Sequence, residues 1–217
     1  MSELKLTKQH ELYYQALRDK KMYPTLAYGS AGTAKTYGAV EAAYEAITNR
    51  KVERIICTRP NIPFAKESGH LPGTEREKLL PWIRPILQHF SNFAHERLLE
   101  DWEKKGKLVF YPLESVQGLT FDNSFVILDE CQNLTFKQLM VFLQRTGEYS
   151  KVVMCGDIAQ VSPMFKQSGL AEFLDMVEHF DLPVHRIHFT RDDIVRSGIC
   201  KQFVIAEEEW EVKKHAR

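Results

Sequence analysis

The chain of 217 residues is 44% hydrophobic, enough for one sizeable core of the kind that commonly folds as a single α/β unit. Its 29 basic and 29 acidic residues cancel, so the average charge supports neither a nucleic-acid coat protein nor a membrane-surface binder, while leaving room for a local basic groove. No apolar run approaches the roughly 20 residues of a membrane-spanning helix, and MSELKLTKQH has no hydrophobic signal core, which gives the expectation of a soluble, cytoplasmic protein.

Leu4 to Arg18 reads as a helix, with Thr7 as N-cap and Leu12, Ala16 and Leu17 on one face. Pro24 ends a polar turn. Thr25 to Tyr28 is a short apolar strand, followed by a glycine-rich segment, Gly29 to Thr36, and an alanine-rich helix from Tyr37 to Thr48. Val52 to Thr58 is a second strand, stopped by Arg59-Pro60. Prolines and glycines interrupt Asn61 to Gly73, which predicts a long loop of the sort that often carries function. Glu75 to Trp102 is mostly helical, with breaks expected at Pro81 and Pro85, and Lys107 to Tyr111 is a third strand. Phe125 to Leu128 is an unbroken apolar run, as in a strand buried on both faces, and Lys151 to Cys155 is another. Helices are expected over Phe136 to Arg145, Leu170 to Phe180 and Cys200 to Val212, and a last strand over His185 to Phe189. Glu207-Glu208-Glu209 reads most simply as a solvated helix face.

Strands alternating with helices imply a mostly parallel central sheet covered on both sides, a three-layer α/β architecture. No repeat, low-complexity segment or linker interrupts it, so residues 1–217 are expected to form one domain. Cys57, Cys131, Cys155 and Cys200 form no CxxC pair, and buried free thiols in a reducing compartment explain them better than disulfides or a metal site.

Three motifs carry chemistry. Gly29-Ser30-Ala31-Gly32-Thr33-Ala34-Lys35-Thr36 lies between a strand and a helix, the context a phosphate-binding loop needs. Small residues let backbone N–H groups turn toward the β-phosphate of a nucleotide, aided by the helix N-terminus. Lys35 would reach the β- and γ-phosphates, and Thr36 would ligate Mg²⁺ through its hydroxyl. Ala34 stands where glycine is usual, and its methyl group either crowds the phosphate or is tolerated at the first helical turn. Asp129-Glu130, at the carboxyl end of a buried strand, is the second motif, placed where doubly wound sheets bind ligands. Asp129 would hold the Mg²⁺ water shell, and Glu130 would orient and deprotonate an attacking water. Gly156-Asp157-Ile158-Ala159-Gln160, past another buried strand, adds a third polar group, with Gln160 as a γ-phosphate sensor. Together they predict a RecA-like P-loop NTPase that binds ATP with Mg²⁺ and hydrolyses it.

With these residues in view, the loop GSAGTAKT, the run FVILDECQN (Phe125 to Asn133) and GDIAQ resemble the PhoH-like family, whose core is similar to the first motor domain of superfamily 1 helicases. The resemblance extends to Thr58-Arg59-Pro60, Gly69-His70-Leu71-Pro72-Gly73 and Asp193-Ile194-Val195-Arg196, and so covers nearly the whole chain. It departs at Ala34, at Val116-Gln117-Gly118-Leu119-Thr120, where members commonly carry Met-Arg-Gly-Arg-Thr, and at Ser197-Gly198, where they have His-Pro. The resemblance implies ATP hydrolysis with a role on RNA or single-stranded nucleic acid. It makes Gln9 the glutamine that reads the adenine edge, against the plainer reading of an exposed helix residue. It makes Arg59 part of a strand-binding motif, against that of an ordinary basic residue before proline.

Two rival functions remain at this level. A nucleotide-binding switch or scaffold with little hydrolysis is compatible with Ala34 and the altered segment at Gln117. A small-molecule kinase is disfavoured, because it has little use for a carboxylate that activates water and no arginine-rich lid segment is visible. Hydrolysis also needs a cation beyond Lys35 and Mg²⁺. That need predicts a homo-oligomer, a hexameric ring being favoured, with Arg196 of each copy as a finger for its neighbour and Arg191 in reserve. Arg59 and Lys66 from several copies would then converge on one channel.

Overall fold

The computed structural model describes residues 6–60, 75–157 and 168–215. The strands are β1 (Thr25–Gly29), β2 (Arg54–Arg59), β3 (Leu108–Pro112), β4 (Ser124–Leu128), β5 (Lys151–Gly156) and β6 (His185–Phe189). They form one sheet in the order β3-β2-β4-β5-β1-β6, and every pairing is parallel. The period of two along each run decides which side a residue serves. Ala27, Ile55, Cys57, Ile127, Val153 and Cys155 join one apolar cluster. Leu26, Ile56, Val126, Leu128, Val152 and Met154 join the other.

Helices α1 (Lys8–Leu17), α2 (Lys35–Thr48), α3 (Glu75–Phe90) and α4 (Glu96–Lys104) cover the first face. Helices α5 (Phe136–Leu143) and α6 (Leu170–His179) cover the second. Gly38 lets α1 and α2 approach closely, since a Cβ there would lie 2.9 Å from Tyr13 Cε1. Helix α7 (Gly198–His215) closes the described chain and leaves Ile199, Phe203 and Trp210 exposed. The three-layer α/β expectation is therefore met.

Several boundaries differ from expectation. Helix α3 runs unbroken through Pro81 and Pro85, and the chain turns instead at residues 91–95, before α4. Each interior proline costs on the order of 3 kcal/mol. Burial of Ile83, and of Ile86 and Phe90 in the core on this face of the sheet, at roughly 1.5–3 kcal/mol each, is of the same size and holds the helix together. Helix α1 begins only at Lys8, with Thr7 as the expected cap, whose N–H donates to His10 Nδ1 at 3.1 Å. The expected loop at Asn61 to Gly73, with Lys66, lies outside the described residues, as does Gln160.

Three cysteines, Cys57, Cys131 and Cys155, are buried, and all four are free, as expected. Lys151, only 1% exposed, donates from Nζ to Ala16 O at 2.7 Å and Tyr23 O at 2.5 Å. It ties the end of α1 to the start of β5, and burial pushes its ammonium down to about 8 against the opposing charge of Asp19. Among the described residues, no helix is long and apolar enough to cross a membrane.

Candidate nucleotide-binding site

The loop after β1 adopts a conformation that ordinary side chains resist. Gly29 has φ 110°, and a Cβ there would lie 1.9 Å from Phe189 O on neighbouring β6. Gly32 has φ 73°, and Ala34 sits in the left-handed region at φ 58°, ψ 26° as the N-cap of α2. The unusual alanine thus occupies the position at which the backbone turns into the helix, where glycine would be free of strain. Beyond it, the first-turn N–H groups of α2 have no intrahelical acceptor and carry the positive end of the helix.

From α1, Tyr13 donates its hydroxyl to Lys35 O at 2.8 Å. The buried His10 accepts from Thr7 N at Nδ1, which leaves Nε2 to donate to Thr33 O in the loop at 3.1 Å. Thr7 in turn donates from Oγ1 to Asp193 Oδ1 at 2.6 Å, and Val195 N–H donates to Gly32 O at 3.1 Å. Two distant segments therefore clamp the loop, a role that the sequence motifs do not disclose.

A cavity of about 340 Å³ opens at the carboxyl edge of the sheet. The loop from Ala31 to Thr36 forms one wall, and Asp129, Glu130 and Asp157 form another. Lys35 folds back over the loop, donating from Nζ to Gly29 O and Ser30 O at 2.7 Å each. Burial lowers its ammonium below the usual lysine range, although Asp157, Glu130 and Asp129 oppose the shift. Thr36 Oγ1 donates to Asp129 Oδ1 at 2.8 Å. Burial raises the Asp129 carboxyl above the usual range, and the charge of Glu130 adds to this, while Arg59 and the Thr36 hydroxyl pull the other way.

Glu130 also has a left-handed backbone, φ 54°. Its Oε1 accepts from Arg59 at 3.2 Å and its Oε2 from Gln132 Nε2 at 2.6 Å. Gln132 is fully buried, and its Oε1 accepts from Asp157 N at 3.1 Å, joining the ends of β4 and β5.

The expected residues Gly29 to Thr36, Asp129, Glu130 and Asp157 are thus brought to one corner. Gln9 lies half-buried on α1, outside the walls of the cavity. Arg196 also reaches this corner. It lies over the loop of its own chain, with Cδ 3.2 Å from where a Gly32 Cβ would stand, and it lines the cavity. The Val195–Gly32 hydrogen bond draws its segment toward the loop, while Arg196 itself remains exposed. Arg191, the reserve candidate, pairs with Glu209 at 3.2 Å on the exposed surface. Sequence reasoning missed Gln132, and it missed Tyr37 and His89, which also line the cavity. Burial and the nearby Arg196 charge hold the His89 imidazole below its ordinary range. The Gln132 signal was present in DECQN but was read only as family likeness.

A strained loop between β1 and α2, facing an acidic pair across the carboxyl edge of a parallel sheet, defines a RecA-like P-loop protein. Within that class the chain belongs to the PhoH-like family, whose model, described as PhoH-like protein, matches residues 4–208. A PhoH-like protein of Mycobacterium tuberculosis is 36% identical over 184 residues, which are 84% of this chain and 52% of that protein. Protein PhoH of Escherichia coli is 35% identical over 193 residues, 88% of this chain and 54% of the relative. The chain spans about half the length of the curated relatives it matches. Among solved structures, a Sulfolobus solfataricus SWI2/SNF2 ATPase core in complex with dsDNA aligns with TM-score 0.48 and 12% identity over 84% of this chain and 44% of that one.

Proposed function

We propose that this chain binds ATP with Mg²⁺ at the β1–α2 loop and hydrolyses it. The observation that carries the reading is the meeting of Thr36 Oγ1 with Asp129 Oδ1 at 2.8 Å beside the Lys35 ammonium. A hydroxyl and a carboxylate are the hard oxygen donors that Mg²⁺ takes alongside phosphate oxygens, so Thr36 and Asp129 fit as its holders. Bound there, the ion would neutralise charge on the β- and γ-phosphates.

The chain's own residues do the rest. Backbone N–H groups at the start of α2 bind phosphate oxygens, and Lys35 leaves its carbonyl partners to pair with the phosphates. Glu130 orients water and accepts its proton. Arg196, which already lies over Gly32, supplies in cis the further cation expected from a neighbour. Gln9 reads the adenine edge in this proposal, Gln160 senses the γ-phosphate, and RNA or another single-stranded nucleic acid is the partner. A homo-oligomer rests on the uncovered Ile199, Phe203 and Trp210 of α7, and light scattering tests it.

The central test is phosphate release from ATP with and without RNA, alongside calorimetric titration of Lys35→Ala. The variant should lose most of its ATP affinity, because the loop has no other cation. Binding like that of the parent would show that the loop is not the phosphate site. Tight ATP binding without phosphate release would favour the switch or scaffold reading.

A further inference from the structure

Arg59 closes β2 directly beside the end of β4, since Thr58 pairs with Leu128 in the sheet register and Asp129 N–H donates to Thr58 O at 3.0 Å. Its guanidinium meets Glu130 Oε1 at 3.2 Å and lies 3.9 Å from Asp129 Oδ2. Asp129 and Glu130 line the cavity and Arg59 does not, so the carboxylates stand between the guanidinium and the nucleotide. The Arg59 side chain keeps 25% of its surface exposed.

These facts define an arginine that touches the candidate base from outside. The other Glu130 oxygen is fixed by Gln132, which is itself anchored on Asp157 N. Glu130 is therefore held on both sides, one partner being buried and fixed and the other partly exposed and exchangeable. A guanidinium–carboxylate pair at a partly exposed site is weak, because water screens it. The planar fork of arginine pairs equally well with a phosphodiester.

We infer that Arg59 is a positioning residue that relays polynucleotide occupancy to Glu130. Without a strand the guanidinium holds Glu130 back. A phosphodiester at the exposed end of β2 takes the guanidinium and frees Oε1 to turn toward the water in the cavity. The inference rests on the proposed reading of this corner as an ATPase site with a nucleic-acid partner. No bond is made or broken in the relay, only an exchange of one oxyanion for another on the same cation.

Linkage makes the coupling reciprocal, so it can be read without hydrolysis. The experiment is a double-variant cycle on nucleotide-free protein at low salt, followed by the anisotropy of a short fluorescein-labelled oligouridylate. Glu130→Gln removes the competing charge and should tighten binding about fivefold, within the usual range of site-to-site coupling. Arg59→Gln should weaken binding, and Glu130→Gln should bring no gain in the Arg59→Gln background. A gain that persists without Arg59 would mean only reduced repulsion of the polyanion, and it would overturn the relay. So would a Glu130→Gln affinity equal to that of the parent, or a parent that binds no oligouridylate.

Turnover supplies the second readout. Arg59→Gln should raise basal kcat for ATP with KM unchanged and abolish stimulation by oligouridylate. If basal and stimulated rates both collapse, Arg59 assists the chemistry itself and the relay is wrong. A parent that releases no phosphate would count against the ATPase reading alone, because the anisotropy cycle does not depend on hydrolysis.

Discussion

Ala34→Gly is the substitution whose outcome the backbone constrains most tightly. Ala34 sits at φ 58°, ψ 26°, where an L side chain meets the following carbonyl at a cost of roughly 1–2 kcal/mol. Glycine removes that cost but enlarges the unfolded ensemble, which takes back about 0.4–1 kcal/mol. The net expectation is stabilisation of about 0.5–1 kcal/mol. For a chain of this length that corresponds to roughly a 1–4 °C rise in Tm. Urea unfolding of parent and variant, both nucleotide-free, measures it directly, with an unchanged m-value showing that the transition itself is the same. ATP affinity should hold or improve, because a backbone without Cβ approaches phosphate more closely. A variant less stable than the parent would refute the reasoning, since it would mean that the left-handed turn at Ala34 does not exist in solution.

Glu130→Gln should retain ATP binding and lose about 10²-fold or more in kcat, because the amide can touch water but cannot take its proton; single-turnover phosphate release checks this. Asp129→Asn should raise the nucleotide-free Tm while weakening Mg²⁺-dependent ATP binding, since burial already disfavours the Asp129 charge and Asn can still accept from Thr36. Calorimetry with and without the ion separates the two effects. Lys151 titrates near 8 when folded against 10.5 in the open chain, so the unfolded state holds the extra proton between those values and stability gains as pH rises through that window. Relative to Lys151→Met, the parent should gain on the order of 2–3 kcal/mol between pH 8 and pH 10.5. The comparison must be made against the variant, because buried thiols such as Cys155, pushed up to about 12, erode stability over the same range.

Much of the fold was legible because the signals were local. Runs such as Phe125 to Leu128 and Lys151 to Cys155 are too apolar to face water, and both became central strands. The miss at Pro81 and Pro85 has the opposite cause. A rule about one residue's backbone lost to the packing of Ile83, Ile86 and Phe90, which periodicity alone does not weigh against proline. The placement of Arg196 over its own loop was hidden for a similar reason. The position of the arginine in the chain was visible, but the hydrogen bond from Val195 to Gly32 that folds it over its own loop was not.

Strand order was the other missing quantity, and the site depends on it. The loop follows β1 and the acidic pair follows β4, yet β5 lies between them in the sheet. Thr36 and Asp129 meet only by reaching over the end of β5. That end is Gly156, and a Cβ there would stand 2.7 Å from Cys131 Sγ and 3.0 Å from Gln132 Oε1. Gln132 needs that space, because it bridges Glu130 on one side and Asp157 N on the other. Read along the chain, Gly156-Asp157 looks like an ordinary turn after a strand. Seen in the sheet, the glycine makes room for the amide that holds the candidate base. The third motif therefore supports the second through Gln132, a residue that neither motif singles out by itself.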